Sequence, residues 1–118
     1  FLIATSTTEK RMKRIHEKAR GFVYLISVMG VTGARDEIAE ITKNTIQDVQ
    51  EKIKKPLPVL VGFGISKPIH ARDLINAGAD GIIIGSAIIK IIENNLDDYE
   101  KMEKKMIKFT SSIKESLQ

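Results

Sequence analysis

The chain has 118 residues, 19 Lys and Arg against 15 Asp and Glu for a net charge of +4, 42% apolar residues, and neither Cys nor Trp. That size and apolar share fit one folded domain with a core rather than a disordered chain. The absence of Cys excludes disulfides, thiolate metal sites and thiol nucleophiles, and no apolar run approaches the roughly 20 residues of a membrane span. No basic-then-apolar leader precedes the first apolar run, so a cytoplasmic location is expected. The chain opens at Phe1, without Met, directly inside that run.

Short apolar runs alternate with longer amphipathic ones. Phe1-Leu2-Ile3-Ala4 is followed by Ser6 and Glu9 at the spacing of a capping box, which predicts a helix to about Arg20 closed by Gly21. Phe22-Val23-Tyr24-Leu25-Ile26 is β-rich and nearly all apolar, the mark of a strand covered on both faces. Residues 28–43 read as a loop holding Gly30 and Gly33, with a short helical turn near Glu37 to Ile41. Asn44 or Thr45 is the expected cap of a second helix through Ile46, Val49 and Ile53, stopped by Pro56 and Pro58. Val59-Leu60-Val61 is the next strand. Ser66-Lys67-Pro68 starts a helix that carries Ala71, Leu74 and Ile75 and ends at Gly78. Gly81-Ile82-Ile83-Ile84 forms the last strand, a short helix runs from Ala87 to Glu93, and Asp97 or Asp98 opens a longer one to about Glu115.

Four strand-helix units of this kind imply a parallel sheet, either doubly wound or part of a (β/α)₈ barrel. The glycines discriminate between the two. Gly21, Gly78 and Gly81 precede strands, where a cap or tight turn accounts for them, whereas Gly30, Gly33, Gly62, Gly64 and Gly85 all follow strands. Ligands of parallel α/β proteins bind at that carboxyl edge, and glycine there admits close backbone approach. Gly62-Phe63-Gly64-Ile65-Ser66 after the penultimate strand and Gly85-Ser86-Ala87 after the last, with a short extra helix behind them, match the phosphate site of many (β/α)₈ enzymes. The chain has neither a G-x-G-x-x-G nor a Walker A sequence to favour a nucleotide fold.

The segments Gly21-Phe22-Val23-Tyr24-Leu25-Ile26-Ser27, Gly30-Val31-Thr32-Gly33, Gly62-Phe63-Gly64-Ile65-Ser66 and Gly81-Ile82-Ile83-Ile84-Gly85-Ser86-Ala87-Ile88-Ile89-Lys90 resemble the α subunits of tryptophan synthase, in order and with matching spacings. The Gly-Val-Thr-Gly loop is the most specific of them. The resemblance implies a (β/α)₈ barrel of the TIM type that cleaves indole-3-glycerol phosphate to indole and glyceraldehyde 3-phosphate, a lyase step of tryptophan biosynthesis. It implies that residues 1–118 are the C-terminal half of one barrel domain, the fifth to eighth units, without an internal boundary. The backbone of Gly33, Gly64, Gly85 and Ser86 would hold the substrate phosphate with help from the Ser86 hydroxyl. Tyr24 would point into the barrel mouth, Phe63 would wall the indole, and Thr32 would lie in the loop that closes over the site. The implied partner is the β subunit, which carries pyridoxal phosphate, in an α2β2 complex; the α-type chain is expected to need no cofactor or metal.

The family's acid and base, a Glu and an Asp, come from the second and third units, which these residues do not include. Retro-aldol cleavage needs both. Asp36, Glu37 and Glu40 fall in the predicted loop, and Asp80 precedes a strand, so the chain alone is expected to be inactive. His16 and His70 are expected on the surface, and no His-x-x-x-His spacing suggests a metal. The basic run from Lys10 to Lys18 reads as a solvated helix face, because no aromatic side chains interleave with it to stack on bases. Met102, Met106, Ile107, Phe109 and Ile113 are expected on the buried side of the last helix. Another phosphate-binding (β/α)₈ enzyme of sugar-phosphate metabolism, or a non-catalytic module binding phosphate or a partner, is the alternative reading. Half a barrel would bare the inward side chains Phe22, Tyr24 and Ile26 and one alternate set from the last two strands. Such a patch predicts packing against an N-terminal half or a second copy.

Overall fold

The computed structural model describes residues 1–27, 40–52, 57–62 and 64–118. In chain order these form β1 (Leu2–Ala4), α1 (Glu9–Lys18), β2 (Val23–Ile26), α2 (Glu40–Lys52), β3 (Val59–Gly62), α3 (Pro68–Asn76), β4 (Gly81–Ile83), α4 (Ser86–Glu93) and α5 (Tyr99–Ser116). The strands make one sheet in the order β1-β2-β3-β4, each neighbouring pair parallel. Strands joined through helices and lying in sequence order are the wall of a (β/α)₈ barrel, and this sheet supplies four of them.

Strand alternation divides the side chains between two faces. Ile3, Val23, Leu25, Val59 and Val61 share one face and are at most 1% exposed. Met12 and Ala19 of the α1 segment, Ile46 and Val49 of α2, and Leu74 of α3 pack against them. This is the core. The opposite face carries Leu2, Tyr24 and Leu60 in one row and Ala4, Ile26, Gly62 and Ile83 in the next. Leu2 is 50% exposed, and Tyr24, Ile26 and Leu60 are only partly covered. The expected bare apolar face is present on Tyr24 and Ile26. Phe22 stands just ahead of β2 rather than within it and is 44% exposed.

Several helix boundaries differ from the sequence reading. The N-cap of α1 is Thr8, and it makes no side-chain capping bond. Ser6 and Glu9 therefore do not form a capping box. The hydroxyl of Thr7 instead accepts from the Ala4 N–H at 2.9 Å, tying the chain back to the end of β1. The same helix stops at Lys18, because Ala19 turns to an extended conformation and is fully buried. The Arg20 guanidinium caps the freed end by donating to the Ala19 carbonyl at 2.9 Å and to that of Glu17 at 3.4 Å. Gly21, at φ +78°, lies beyond that end and turns the chain into β2.

α2 begins at Glu40, so Glu40 is helical and Thr45 is not a cap. Thr42, Thr45, Ile46 and Val49 form its inward stripe. The Thr45 hydroxyl is accommodated there by donating to the Ile41 carbonyl at 2.6 Å, the back-bond that lets a threonine sit inside a helix. Residues 28–39 and 53–56 lie outside the described residues, and with them Asp36, Glu37 and the expected stop at Pro56.

The expected close of α3 at Gly78 is present in full. Gly78 has φ +104°, its N–H donates to the Ile75 carbonyl at 2.9 Å, and Ala79 donates to Leu74 at 3.0 Å, the two bonds of a Schellman motif. Asp98 caps α5, accepting from the Lys101 N–H at 3.0 Å. Along α5, Ile113 is buried and Met102, Met106 and Phe109 are partly so, but Ile107 is 57% exposed and does not belong to the inward stripe. No helix of the described residues is long and apolar enough to cross a membrane.

Candidate functional site

Parallel strands bring all their carboxyl ends to one edge. Ser27, Gly64 and the pair Gly85-Ser86 follow β2, β3 and β4 there. Ser27 is buried and binds the edge together: its N–H and its hydroxyl both donate to the Gly62 carbonyl, at 2.8 and 3.1 Å. The ends of β2 and β3 are thus fixed relative to each other just below the loops.

Gly62 also seats Tyr24. A Cβ added at Gly62 would lie 2.7 Å from Cε2 and 2.7 Å from the hydroxyl of Tyr24, and 3.0 Å from Cβ of Ile83. The phenol therefore lies directly over the glycine backbone on the open face, a position that any side chain at 62 would deny it. Tyr24 is on the face and near the edge that its expected role requires.

The loop after β3 has Gly64 in the left-handed region at φ +80°. Ile65, 2% exposed, anchors it in the core. After β4, Gly85 is the N-cap of α4. Its carbonyl accepts from Ile88 at 3.0 Å and from Ile89 at 3.1 Å, so the amides of Ser86 and Ala87 precede the first intrahelical bonds. Gly85 and Ser86 are exposed, and a Cβ at Gly85 would meet nothing within 4 Å. With φ at −119°, neither strain nor internal crowding requires glycine there. Glycine is among the residues favoured at an N-cap, and here it leaves the turn open to close approach by an outside group. Uncommitted amides at the positive end of a helix suit an anion.

Tyr24, Gly64, Gly85 and Ser86 are thus assembled around one edge. Thr32, Gly33 and Phe63 lie outside the described residues. Among the described residues, the links from a strand's carboxyl end to the next helix contain no carboxylate. Asp80 is at the opposite edge, where its Oδ2 accepts from the Val59 N–H at 2.8 Å. Among the described residues no group of three or more His, Cys, Asp or Glu could hold a metal ion. The cations Lys10, Arg11, Arg14 and Lys18 line a groove of about 580 Å³ beside Phe1 and Ile15, along α1 and apart from the glycine edge.

One residue escaped the sequence reading. His70, expected on the surface, is 3% exposed, and its Nδ1 accepts from the Ser66 N–H at 3.3 Å. Its position was the available signal: it is the third residue of α3, where a side chain can fold back over the helix start.

Comparison with known proteins agrees with this architecture. The profile of the family described as "Tryptophan synthase alpha chain" matches residues 1–118. The chain is 48% identical to the tryptophan synthase alpha chain of Methanothermobacter thermautotrophicus over 114 residues, covering 97% of this chain and 42% of that protein. It is 44% identical to that of Arabidopsis thaliana over 117 residues, 98% of this chain and 42% of the relative. A chain in the solved tryptophan synthase α2β2 complex of the hyperthermophile Pyrococcus furiosus superposes with a TM-score of 0.80 at 36% identity, covering 96% of this chain and 44% of that one. The chain spans less than half the length of these relatives. With the parallel barrel wall, the glycine edge and a profile match along its whole length, the chain belongs to the tryptophan synthase alpha chain family.

Proposed function

We propose that these residues are the C-terminal, phosphate-binding half of a single barrel domain, its fifth to eighth units. In the intact protein that domain cleaves indole-3-glycerol phosphate to indole and glyceraldehyde 3-phosphate in tryptophan biosynthesis. The observation that carries this reading is the pair of turns at one edge, Gly64 with its left-handed backbone and Gly85-Ser86 opening α4 beside unoccupied space. The amides of Gly33, Gly64, Gly85 and Ser86 and the Ser86 hydroxyl hold the phosphate dianion. Tyr24, seated on Gly62, presents its ring and hydroxyl to the rest of the substrate. Phe63 walls the indole, and Thr32 belongs to the loop that closes over it.

Cleaving the bond between the indole ring and the glycerol side chain needs an acid to protonate the ring carbon and a base to accept the hydroxyl proton. The strand-to-helix links described above offer neither. Both groups are assigned to the N-terminal units of the barrel, so these 118 residues bind the phosphate end and do not turn over by themselves. The reaction requires no cofactor from this chain. The partner proposed is a tryptophan synthase β subunit, which supplies pyridoxal phosphate for its own step, and the setting is the cytoplasm. The Pyrococcus furiosus α2β2 complex supports that partnership.

The test is turnover of indole-3-glycerol phosphate by the protein as its source makes it, wild type against Ser86→Asp. A carboxylate among the phosphate-binding amides removes one charge-assisted contact and adds like-charge repulsion, so KM rises by about tenfold or more. An unchanged KM, or a wild type that does not cleave this substrate, overturns the reading.

A further inference from the structure

We propose that His70 is a positioning residue for the phosphate loop: by accepting the Ser66 N–H at Nδ1 it holds the 64–66 backbone in its binding conformation. This rests on the phosphate reading above and adds to it a residue outside the anion's own contacts.

The β3–α3 loop descends from Gly64, at φ +80°, through Ile65 to Ser66 and the N-cap Lys67. Gly64, Ser66 and Lys67 are all exposed, and Ile65 alone is anchored in the core. One buried side chain does not by itself fix the direction of the neighbouring backbone amides. A capping side chain is not what holds the helix start: Lys67 makes no side-chain capping bond, and Pro68 at the first helical position contributes no N–H. His70 supplies a second pin from the other direction. Its backbone N–H donates to the Lys67 carbonyl at 3.1 Å, and its ring folds back so that Nδ1 accepts from Ser66 at 3.3 Å. A capping-box glutamate or glutamine at this third helical position would reach back to the N–H of the N-cap itself, Lys67, whereas the shorter His70 ring accepts one residue earlier, from Ser66, so the two arms are not interchangeable.

Two features make histidine apt here. The residue is 3% exposed, so the acceptor is held by packing and does not need to be ordered from solvent. It is also uncharged while it accepts: a lone pair at Nδ1 requires the proton on Nε2. A glutamate in the same place would bring a negative charge within the first turn of α3, close to the proposed phosphate and repelling it. Neutral histidine holds the loop without that repulsion.

The experiment compares His70→Leu, His70→Gln and His70→Asn in the protein as its source makes it. Titration calorimetry with glycerol 3-phosphate and hydrogen exchange of the Ser66 amide are the readouts. The Oδ1 of asparagine stands the same number of bonds from the backbone as Nδ1, whereas the glutamine oxygen lies one bond further out. His70→Leu and His70→Gln are expected to weaken glycerol 3-phosphate about fivefold, the equivalent of one ordinary hydrogen bond, and to lose Ser66 protection. His70→Asn is expected to restore both to within about twofold of wild type.

Binding by His70→Leu equal to wild type overturns the proposal, as does failure of His70→Asn to outperform His70→Gln. If leucine prevents folding, the asparagine–glutamine pair decides. A wild type that ignores glycerol 3-phosphate but keeps its Ser66 amide protected through His70 identifies the phosphate reading as the failed step, and the positioning role falls with it. A protected site in His70→Leu, with phosphate still bound by wild type, identifies His70 as the failed step.

Discussion

The two faces of the sheet are made from the same kinds of side chain and have opposite fates. Val23, Leu25, Val59 and Val61 are sealed beneath helices, at most 1% exposed, while Leu60 and Ile26, which alternate with them, are only partly covered and Leu2 is half in water. Hydrophobicity does not separate the faces; the helices do. α1, α2 and α3 all return to the same side of the sheet and close it within these four units. The other side is left only partly covered by them. The sealed face carries the stability of the unit, and the open face carries Tyr24 and leads to the glycine edge.

The largest effect expected from breaking this division is on the sealed face. Leu25→Ala removes a fully buried side chain and costs about 2–5 kcal/mol in denaturant unfolding of the intact protein. Leu60→Ala, one strand over on the open face, measures what covers that face in the working protein. If further barrel units fill it, as proposed, the loss approaches that of Leu25→Ala. A loss below about 1 kcal/mol leaves the face solvated and breaks the assignment of these residues to half of a barrel.

A smaller effect is expected where the open face meets the edge. Gly62→Ala places a methyl 2.7 Å from the Tyr24 ring, so either the phenol or β3 moves, at about 1–3 kcal/mol. Turnover of indole-3-glycerol phosphate by the intact protein falls with it. Combined with Tyr24→Ala the clash with the phenol disappears and only the 3.0 Å approach to Ile83 Cβ remains, so Gly62→Ala is expected to cost the double variant less than it costs wild type. Additive losses would show that the close approach has another origin. The smallest effect lies on the outer helices. Lys13 and Glu9 approach to 3.6 Å with their side chains 72% and 62% exposed, so Lys13→Ala changes stability by at most about 0.5 kcal/mol. A larger value would mean that α1 is covered in the intact protein.

Much of this organisation is legible in the sequence. The alternation of apolar runs and amphipathic stretches gives the parallel order, and glycines gathered after strands mark the edge where Gly64 and Gly85 stand. Gly78 at the close of α3 and Asp98, one of the two expected caps, at the start of α5 are legible because each marks a helix end through bonds to its own neighbours. The errors occur where a short polar side chain has two local uses. Ser6 has capping-box spacing, but Thr7 ties to Ala4 and shifts the start of α1 to Thr8. Thr45 resembles a cap yet lies inside α2, its hydroxyl turned back on Ile41. His70 is misread for a related reason. Charged neighbours in sequence suggest solvent, whereas the residue is buried with its Nδ1 turned back to the Ser66 N–H. Tyr24 over Gly62 is out of reach of periodicity altogether, since it depends on how β2 and β3 align.

The alignment of β4 on β3 gives Asp80 an importance its distance from the glycine turns conceals. Its carboxylate takes the Val59 N–H at 2.8 Å while its own N–H donates to the Val59 carbonyl at 3.0 Å, a two-point clasp where β4 enters the sheet. β4 has only three residues, too few ladder bonds to define its own offset firmly. A slip of one residue would carry Ile82 to the open face and displace the start of α4 by about 3.3 Å. The clasp acts as an index stop, and the place where Gly85 and Ser86 emerge is decided at the far end of the strand.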